Sequence, residues 1–548
     1  MMGKRNKALV SIMCLSVAGG LLAGCSGSGN EASPAPQESA GAATATTANG
    51  NVYPLQLNKK LTYWAEMNPN VSSTKPTFDQ VPFFQELQKR TGVQLQFTQP
   101  PANQTKEALN MLLASGDLPD IIEYPWATFP GGGAKAISDG YILKLNDAID
   151  KYAPNFKKYL KEHPEVDKQI KTDDGSYYVF PFIRGDDLLK TYQGPIIRQD
   201  WLDELGLPVP ATIDEWYTVL KAFKEKKGIA APLTFLGTPS TLFGLDGGAF
   251  IGAYGVKKDF YQVDGVVKYG PLEPGYKEFL GTFRKWYEEG LIDKNIATMD
   301  TKNMDSNMTS DRSGASVWNS GAGINKWSAV LKQKNANAKL VGAPYPVLKK
   351  GDKPMFGQKD ASFVTAGGSV AISAKSKNVE AAVRLLDYGY SEEGHNLYNF
   401  GVEGVSYKLV NQVPTFTDFV MNNPDKLAVA QALSLYARSA YSGPFVQDKQ
   451  YAMQVTTMQE QKDAIQVWSQ TDTDKYVLPT LSMTPEESAE YAAIMNDVNT
   501  LVDEMSLKII LGAVPLDSYE GYVTKLKGLK VDRAIALKKA ALERYNKR

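Results

Sequence analysis

Between Leu61 and Tyr124 the chain alternates strand and helix in an order that restricts it to very few architectures. Leu61-Thr62-Tyr63-Trp64-Ala65 reads as a strand. Val81 to Arg90 then turns Phe83, Phe84 and Leu87 to one side of a helix that stops at Thr91-Gly92. Val93, Leu95 and Phe97 alternate with Gln94, Gln96 and Thr98, the period-two signature of a strand. A second helix runs from about Gln104 to Ser115, closed by Gly116, and Pro119 to Tyr124 forms the next strand. Strand, helix, strand, helix, strand is the pattern of a parallel sheet with right-handed crossovers. Open sheets of this kind collect ligands at the carboxyl ends of their strands. Here those ends carry Glu66 and Asn68 after the first strand, and Tyr124 and Trp126 after the third. Trp126 equally suits a packed loop position.

The head of the chain sets where that fold resides. Lys4, Arg5 and Lys7 precede an apolar run from Ala8 to Leu22, a secretory signal too short to span a bilayer. Leu22-Ala23-Gly24-Cys25 resembles the lipobox of bacterial lipoproteins. That resemblance implies a diacylglycerol on the Cys25 thiol and cleavage just before it, and two acyl chains anchor stably where one would not. Residues 26–50, mostly Ser, Gly, Ala, Thr and Pro, bury no apolar surface and read as a flexible tether. The expectation is a cell-membrane protein, lipid-anchored on the extracytoplasmic face.

A chain of 548 residues has room for two sizeable cores. Without residues 1–24 it holds 57 basic and 60 acidic groups, a formal net of −3. That balance argues against nucleic acid or an anionic membrane face as the partner. Cys14 lies in the signal and Cys25 is the lipidation site, so no disulfide or cysteine metal site is expected. His163 and His395 are the only histidines, which speaks against a metal centre and against a Ser-His-Asp hydrolase. No cofactor is expected. The 28 Tyr and 8 Trp supply flat amphipathic surfaces of the kind a sugar cleft uses.

Further on, Asp173-Asp174-Gly175-Ser176 is a turn feeding a strand at Tyr177 to Pro181. Thr212 with Glu215 forms a capping box opening a helix that buries Trp216, Val219, Leu220 and Phe223 and ends at Gly228. Helical patterns recur near 275–290 and 323–334, Ser369 to Ser373 reads as a strand, and Asn378 to Tyr390 as a helix. Two tail helices are expected, one opened by Thr484-Pro485-Glu486-Glu487 and one around Ser518 to Leu526.

Several of these stretches resemble lipoproteins of the bacterial extracellular solute-binding family 1, in its long LipO-type branch. They are Arg198-Gln199-Asp200-Trp201-Leu202 with Gly206-Leu207, Thr212 to Trp216, Gly116 to Ile122, the turn with Tyr178, Ser391 to Gly394, Asn399 to Gly404, and Pro515 to Tyr519. The resemblance implies an α/β, two-lobed periplasmic-binding-protein-like fold (type II) with a hinge and an interlobe ligand cleft. It implies that the ligand is delivered to the membrane subunits of an ABC permease, and the binding protein itself is expected to act as a monomer. It suggests a signal at 1–24, a tether at 25–54, an N-lobe from 55–185 and 356–410, and a C-lobe from 186–355, with 411–548 as C-lobe and helical remainder. Where long members carry an acidic calcium loop, this chain reads Glu225-Lys226-Lys227-Gly228-Ile229-Ala230-Ala231-Pro232, one carboxylate beside two lysines, and no calcium is expected there.

A sugar needs aromatic plates for its C–H faces and polar groups for its hydroxyl rim. The candidate plates are Trp126, Tyr178, Trp318 and Trp468, with Trp64 and Trp286 weaker; Trp468 precedes the polar run Ser469 to Asp472, read as a loop over the cleft. The polar candidates are Glu66, Asn68, Arg184 and Asn319. Trp201 and Trp216 fit helical stripes and read as core, and Glu392-Glu393 as a solvated helix start. The expected function is oligosaccharide binding without catalysis. Peptide or pheromone binding on the same scaffold is the alternative, and a surface glycoside hydrolase or lyase would need a carboxylate pair that no local motif nominates.

Overall fold

The computed structural model describes residues 52–56, 60–102, 104–237, 243–438 and 442–548. The expected signal peptide, Cys25 and most of the expected tether lie outside the described residues. Among those described, no helix is long and apolar enough to cross a membrane.

The strands, in chain order, are β1 (Lys60–Trp64), β2 (Gln94–Thr98), β3 (Ile121–Tyr124), β4 (Phe180–Arg184), β5 (Gln193–Arg198), β6 (Phe260–Val263), β7 (Val266–Tyr269), β8 (Ala315–Asn319), β9 (Leu340–Gly342), β10 (Val364–Ile372), β11 (Tyr407–Val410), β12 (Val413–Phe416) and β13 (Phe445–Gln447). The larger sheet has the order β13-β4-β10-β3-β1-β2. The first three strands run parallel as their spacing predicts, with Tyr63 opposite both Phe97 and Ile121. At the edge, β2 keeps its alternation, Gln94 and Gln96 exposed around buried Leu95, whereas β3 is buried on both faces, Glu123 included. From far along the chain β10 inserts antiparallel between β3 and β4, and its register breaks between Val364 and Ser369. The strand predicted at 177–181 forms three residues later, as β4.

The second sheet, β8-β5-β9, is short and antiparallel. Its core holds Ile196, Trp201, Trp216, Phe223, Phe283 and Trp286, so the core reading of Trp201 and Trp216 agrees with the structure. The helix Ile213–Lys227 is opened by the Thr212–Glu215 capping box and closed by Gly228 in the left-handed region, φ 70°. The tail forms three helices, Pro485–Ile510, Tyr519–Gly528 and Val531–Asn546; the last was not expected.

Two sheets with separate cores make two lobes, and the chain crosses between them at 185–192, 343–363 and 448–458. The first two crossings touch at a Thr191–Lys359 bridge. Two expected boundaries change. Residues 411–447 do not belong with the second lobe, because β13 pairs in parallel with β4 and covers an edge whose amides and carbonyls would otherwise lack partners. On either side of it in the chain, Phe400, Tyr407, Phe416, Leu433 and Tyr451 share a small core. The expected tether end at 54 is also too late, since Tyr53 is buried in the first core edge-on to Tyr388.

Candidate functional site

The carboxyl ends of β1 and β3 open into a hollow of about 310 Å3 lined by Glu66, Asn68, Thr105, Glu123, Tyr124 and Ser442 among others. Asn68 is held in place by its own side chain, which accepts from the Asn70 N–H at 2.9 Å and starts a short helix. Glu66 is exposed and makes no hydrogen bond or ion pair among the described residues. Glu123 is the opposite case. Its carboxylate is buried and receives the Tyr63 hydroxyl at 2.7 Å, the Arg438 guanidinium and the Ser442 hydroxyl. Burial, with the Glu123 charge second, pushes the Tyr63 hydroxyl far above its ordinary value, so it stays a donor. Arg438 also lies over the Phe84 ring.

A second, smaller hollow lies further along residues 361–369. Tyr178, Gln169, Val364, Ser369 and, from the other side, Thr480 line it. Tyr178 lies flat on Gly133, where any side chain would strike its ring, and burial pushes its hydroxyl up to about 12. Gln169 also lines a third hollow of about 440 Å3, between Asp187, Lys190 and Phe363 on one side and Asp474, Leu542 and Tyr545 on the other. There the lobe crossings are joined by a ring of four charges. Lys190 reaches Asp474 at 2.9 Å and Asp187 at 3.1 Å, and Lys359 reaches Asp187 at 2.7 Å. Burial pushes the Asp187 carboxyl up, but the two ammonium groups hold it below the usual carboxylate range.

A second ionic cluster spans the lobes beside these hollows. Asp173, on the turn before β4, takes Arg544 at 2.5 Å and also Arg548. Arg548 donates to the Lys171 carbonyl at 2.6 Å, and the Lys168 ammonium lies 4.6 Å from the centre of the Tyr545 ring.

The sequence candidates divide between these places. The structure brings Glu66 and Asn68 into one hollow and Tyr178 into the next. Arg184, Trp318 and Asn319 line none of the three. Arg184 pairs with Asp360 at 2.9 Å and lies over Tyr192 at the first crossing. Burial raises the Asp360 carboxyl against the pull of that guanidinium. Asn319 sits opposite Gln193 and accepts from the Ala322 N–H at 2.7 Å, closing a turn. Trp318 is half-buried against the second core.

Trp126 and Trp468 are not plates. Trp126 is fully buried, its indole donating to the Ile122 carbonyl at 3.1 Å, because a short 3-10 turn after Pro125 rolls the ring back onto the sheet. Trp468 does not begin a loop over the cleft. It ends the helix Gln459–Trp468 and lies on the bare backbones of Gly194 and Gly342, donating to the carbonyls of Pro195 and Ala343 at 3.3 and 3.0 Å. The weaker candidates Trp64 and Trp286 are buried as well. Gln169, Thr480 and Tyr545, which the sequence did not nominate, line the hollows instead.

A family model described as bacterial extracellular solute-binding protein matches residues 70–396. Lipoprotein LipO of Bacillus subtilis is 27% identical over 391 residues, 68% of this chain and 72% of its own. The fructooligosaccharide ABC transporter substrate-binding protein FusA of Streptococcus pneumoniae is 26% identical over 533 residues, covering 90% of this chain and 92% of its own. Among solved structures, alginate-binding protein AlgQ2 without calcium ion matches with a TM-score of 0.68 at 27% identity, over 88% of this chain and 98% of that one.

Proposed function

Because the chain belongs to the bacterial extracellular solute-binding proteins, we propose that it captures an oligosaccharide between its lobes and passes it, unaltered, to an ABC import permease. The observation that carries this reading is the set of three hollows along residues 361–369, two of them with lining from both lobes, which offer rings and small polar groups without a reactive constellation. Tyr124, Tyr178, Phe363 and Tyr545 supply flat faces, and Asn68, Thr105, Gln169 and Ser369 supply donors and acceptors for hydroxyls. Hydrolysis of a glycosidic bond takes two working carboxylates, one on each side of it. Of the four carboxylates in the lining, Glu123, Asp187 and Asp474 are committed to ion pairs and Glu66 alone is free, so no second working carboxylate faces it, which supports binding over turnover.

Lipidation of Cys25 would hold a monomer on the outer face of the membrane through its tether. Closure about the three crossings would bring both walls onto the ligand and create the shape the permease reads. Calorimetry of the mature domain against a panel of oligosaccharides and a panel of peptides tests the reading, with the sugar analysed afterwards. One saccharide bound per chain and recovered intact is expected. Peptide binding alone, or cleavage of the sugar, refutes it.

A further inference from the structure

We propose that this set of hollows selects uncharged glycans over uronate-containing ones, and that Glu66 is the charge that discriminates. The inference rests on the saccharide reading above and concerns which saccharides fit. It follows from the charges that face them. Five ionisable acids and bases line the three hollows: Glu66, Glu123, Asp187, Lys190 and Asp474. The middle hollow has none beyond the tyrosine hydroxyl, which burial keeps neutral.

Four of the five are already answered. Glu123 is neutralised by Arg438 and receives two further hydroxyl donors. At the far end Asp187 and Asp474 face Lys190 and Lys359, two charges of each sign in one ring. That leaves Glu66, exposed and unpaired among the described residues, at the mouth of β1. Every cation lining the hollows is spent on a protein carboxylate, and one carboxylate is left over.

One feature of the same hollow favours an anion. The helix Thr105–Ser115 opens there, and a helix N-terminus attracts negative charge. Glu107 in its first turn already occupies that field, close enough to add to the rise that burial causes in the Tyr124 hydroxyl. The neighbouring Lys106 is exposed and does not line the hollow. The balance therefore stays negative. A neutral glycan can use Glu66 as a charged acceptor for its hydroxyls, a stronger hydrogen bond than a neutral one. A uronate brings a like charge to the same place and finds no guanidinium or ammonium in the lining of that hollow to receive it.

Two like charges roughly 6 Å apart in a half-screened cleft change affinity by about tenfold. The test is calorimetry of the mature chain with neutral oligosaccharides and size-matched oligouronates, in low and high salt, on the parent and on Glu66→Gln. The expected result is a neutral ligand bound at least about tenfold more tightly than any uronate. In high salt and in Glu66→Gln that gap should shrink. A uronate bound as tightly as the best neutral chain overturns the discrimination while the saccharide reading stands. A gap unchanged by Glu66→Gln overturns the role of Glu66. Failure of both sugar classes, with a peptide bound, overturns the saccharide reading itself and this inference with it.

Discussion

Replacing Trp468 with alanine separates a core tryptophan from a sugar plate more sharply than any other change in the molecule. The side chain is fully buried in the second lobe, on two glycines whose missing side chains make room for it. Truncating a buried tryptophan costs about 3–5 kcal/mol from lost transfer energy and the cavity left behind. Its N–H also serves the Pro195 and Ala343 carbonyls, and leaving buried acceptors unmet costs about 1 kcal/mol or more. The expected loss is therefore about 4–6 kcal/mol, a large share of the 5–15 kcal/mol that holds a typical domain together. Trp468→Phe keeps most of the volume and should lose only about 2 kcal/mol, mainly the hydrogen bonds. Urea titration followed by circular dichroism gives both numbers, and calorimetry on the folded fraction gives saccharide affinity. An alanine variant with an unchanged unfolding midpoint and abolished binding would refute the buried placement.

Two further outcomes follow from buried charge. Arg438→Met removes the cation that neutralises Glu123 and should cost about 3–5 kcal/mol in chemical denaturation, since a buried carboxylate is left without its counter-charge; adding Glu123→Gln should recover much of that loss. Acid should weaken the junction between the lobes. The Asp187 carboxyl is pushed up by burial but held below its ordinary value by Lys359 and Lys190, so its contribution is fully present above the unfolded value of about 3.9 and is lost as pH falls through the lower folded value. Melting temperatures between pH 5 and pH 2 should fall less steeply for Asp187→Asn than for the parent chain, and equal slopes would count against the ring.

What the sequence made legible was whatever depends on neighbours along the chain. The alternation in Val93 to Thr98, the stop at Gly92, and the Thr212–Glu215 and Thr484–Glu487 capping boxes are local physics, and each element forms close to where it is expected. The rule that ligands gather at strand ends rests on the same local reading, and it led to the hollow holding Glu66 and Asn68. The tryptophans were a different problem. Which way a ring faces depends on what lies across from it, and nothing near Trp468 in sequence announces Gly194 and Gly342 beneath it. The final helix was not singled out because its buried positions, Val531, Ala534, Leu537, Ala541 and Leu542, are interrupted by Lys538 and Lys539, which blur the apolar stripe. The edge strand β13 has three residues, too few for any period to show.

The residues that join the lobes were invisible for a related reason, and they bear most directly on how such a molecule works. Asp187, Lys190, Lys359 and Asp474 come from three separate segments, and each alone is an ordinary surface charge. Assembled, they sit where the chain passes between the lobes, with both lysine side chains almost wholly buried. The Asp173 cluster lies on a different footing, since its carboxylate is on the first lobe and both arginines belong to the tail of the second. A rotation about the crossings would leave the first set close together and pull the second apart. On the proposed closure, the first cluster would act as a pivot and the second as a catch. On that proposal, binding need supply only the difference in free energy between the open and closed arrangements.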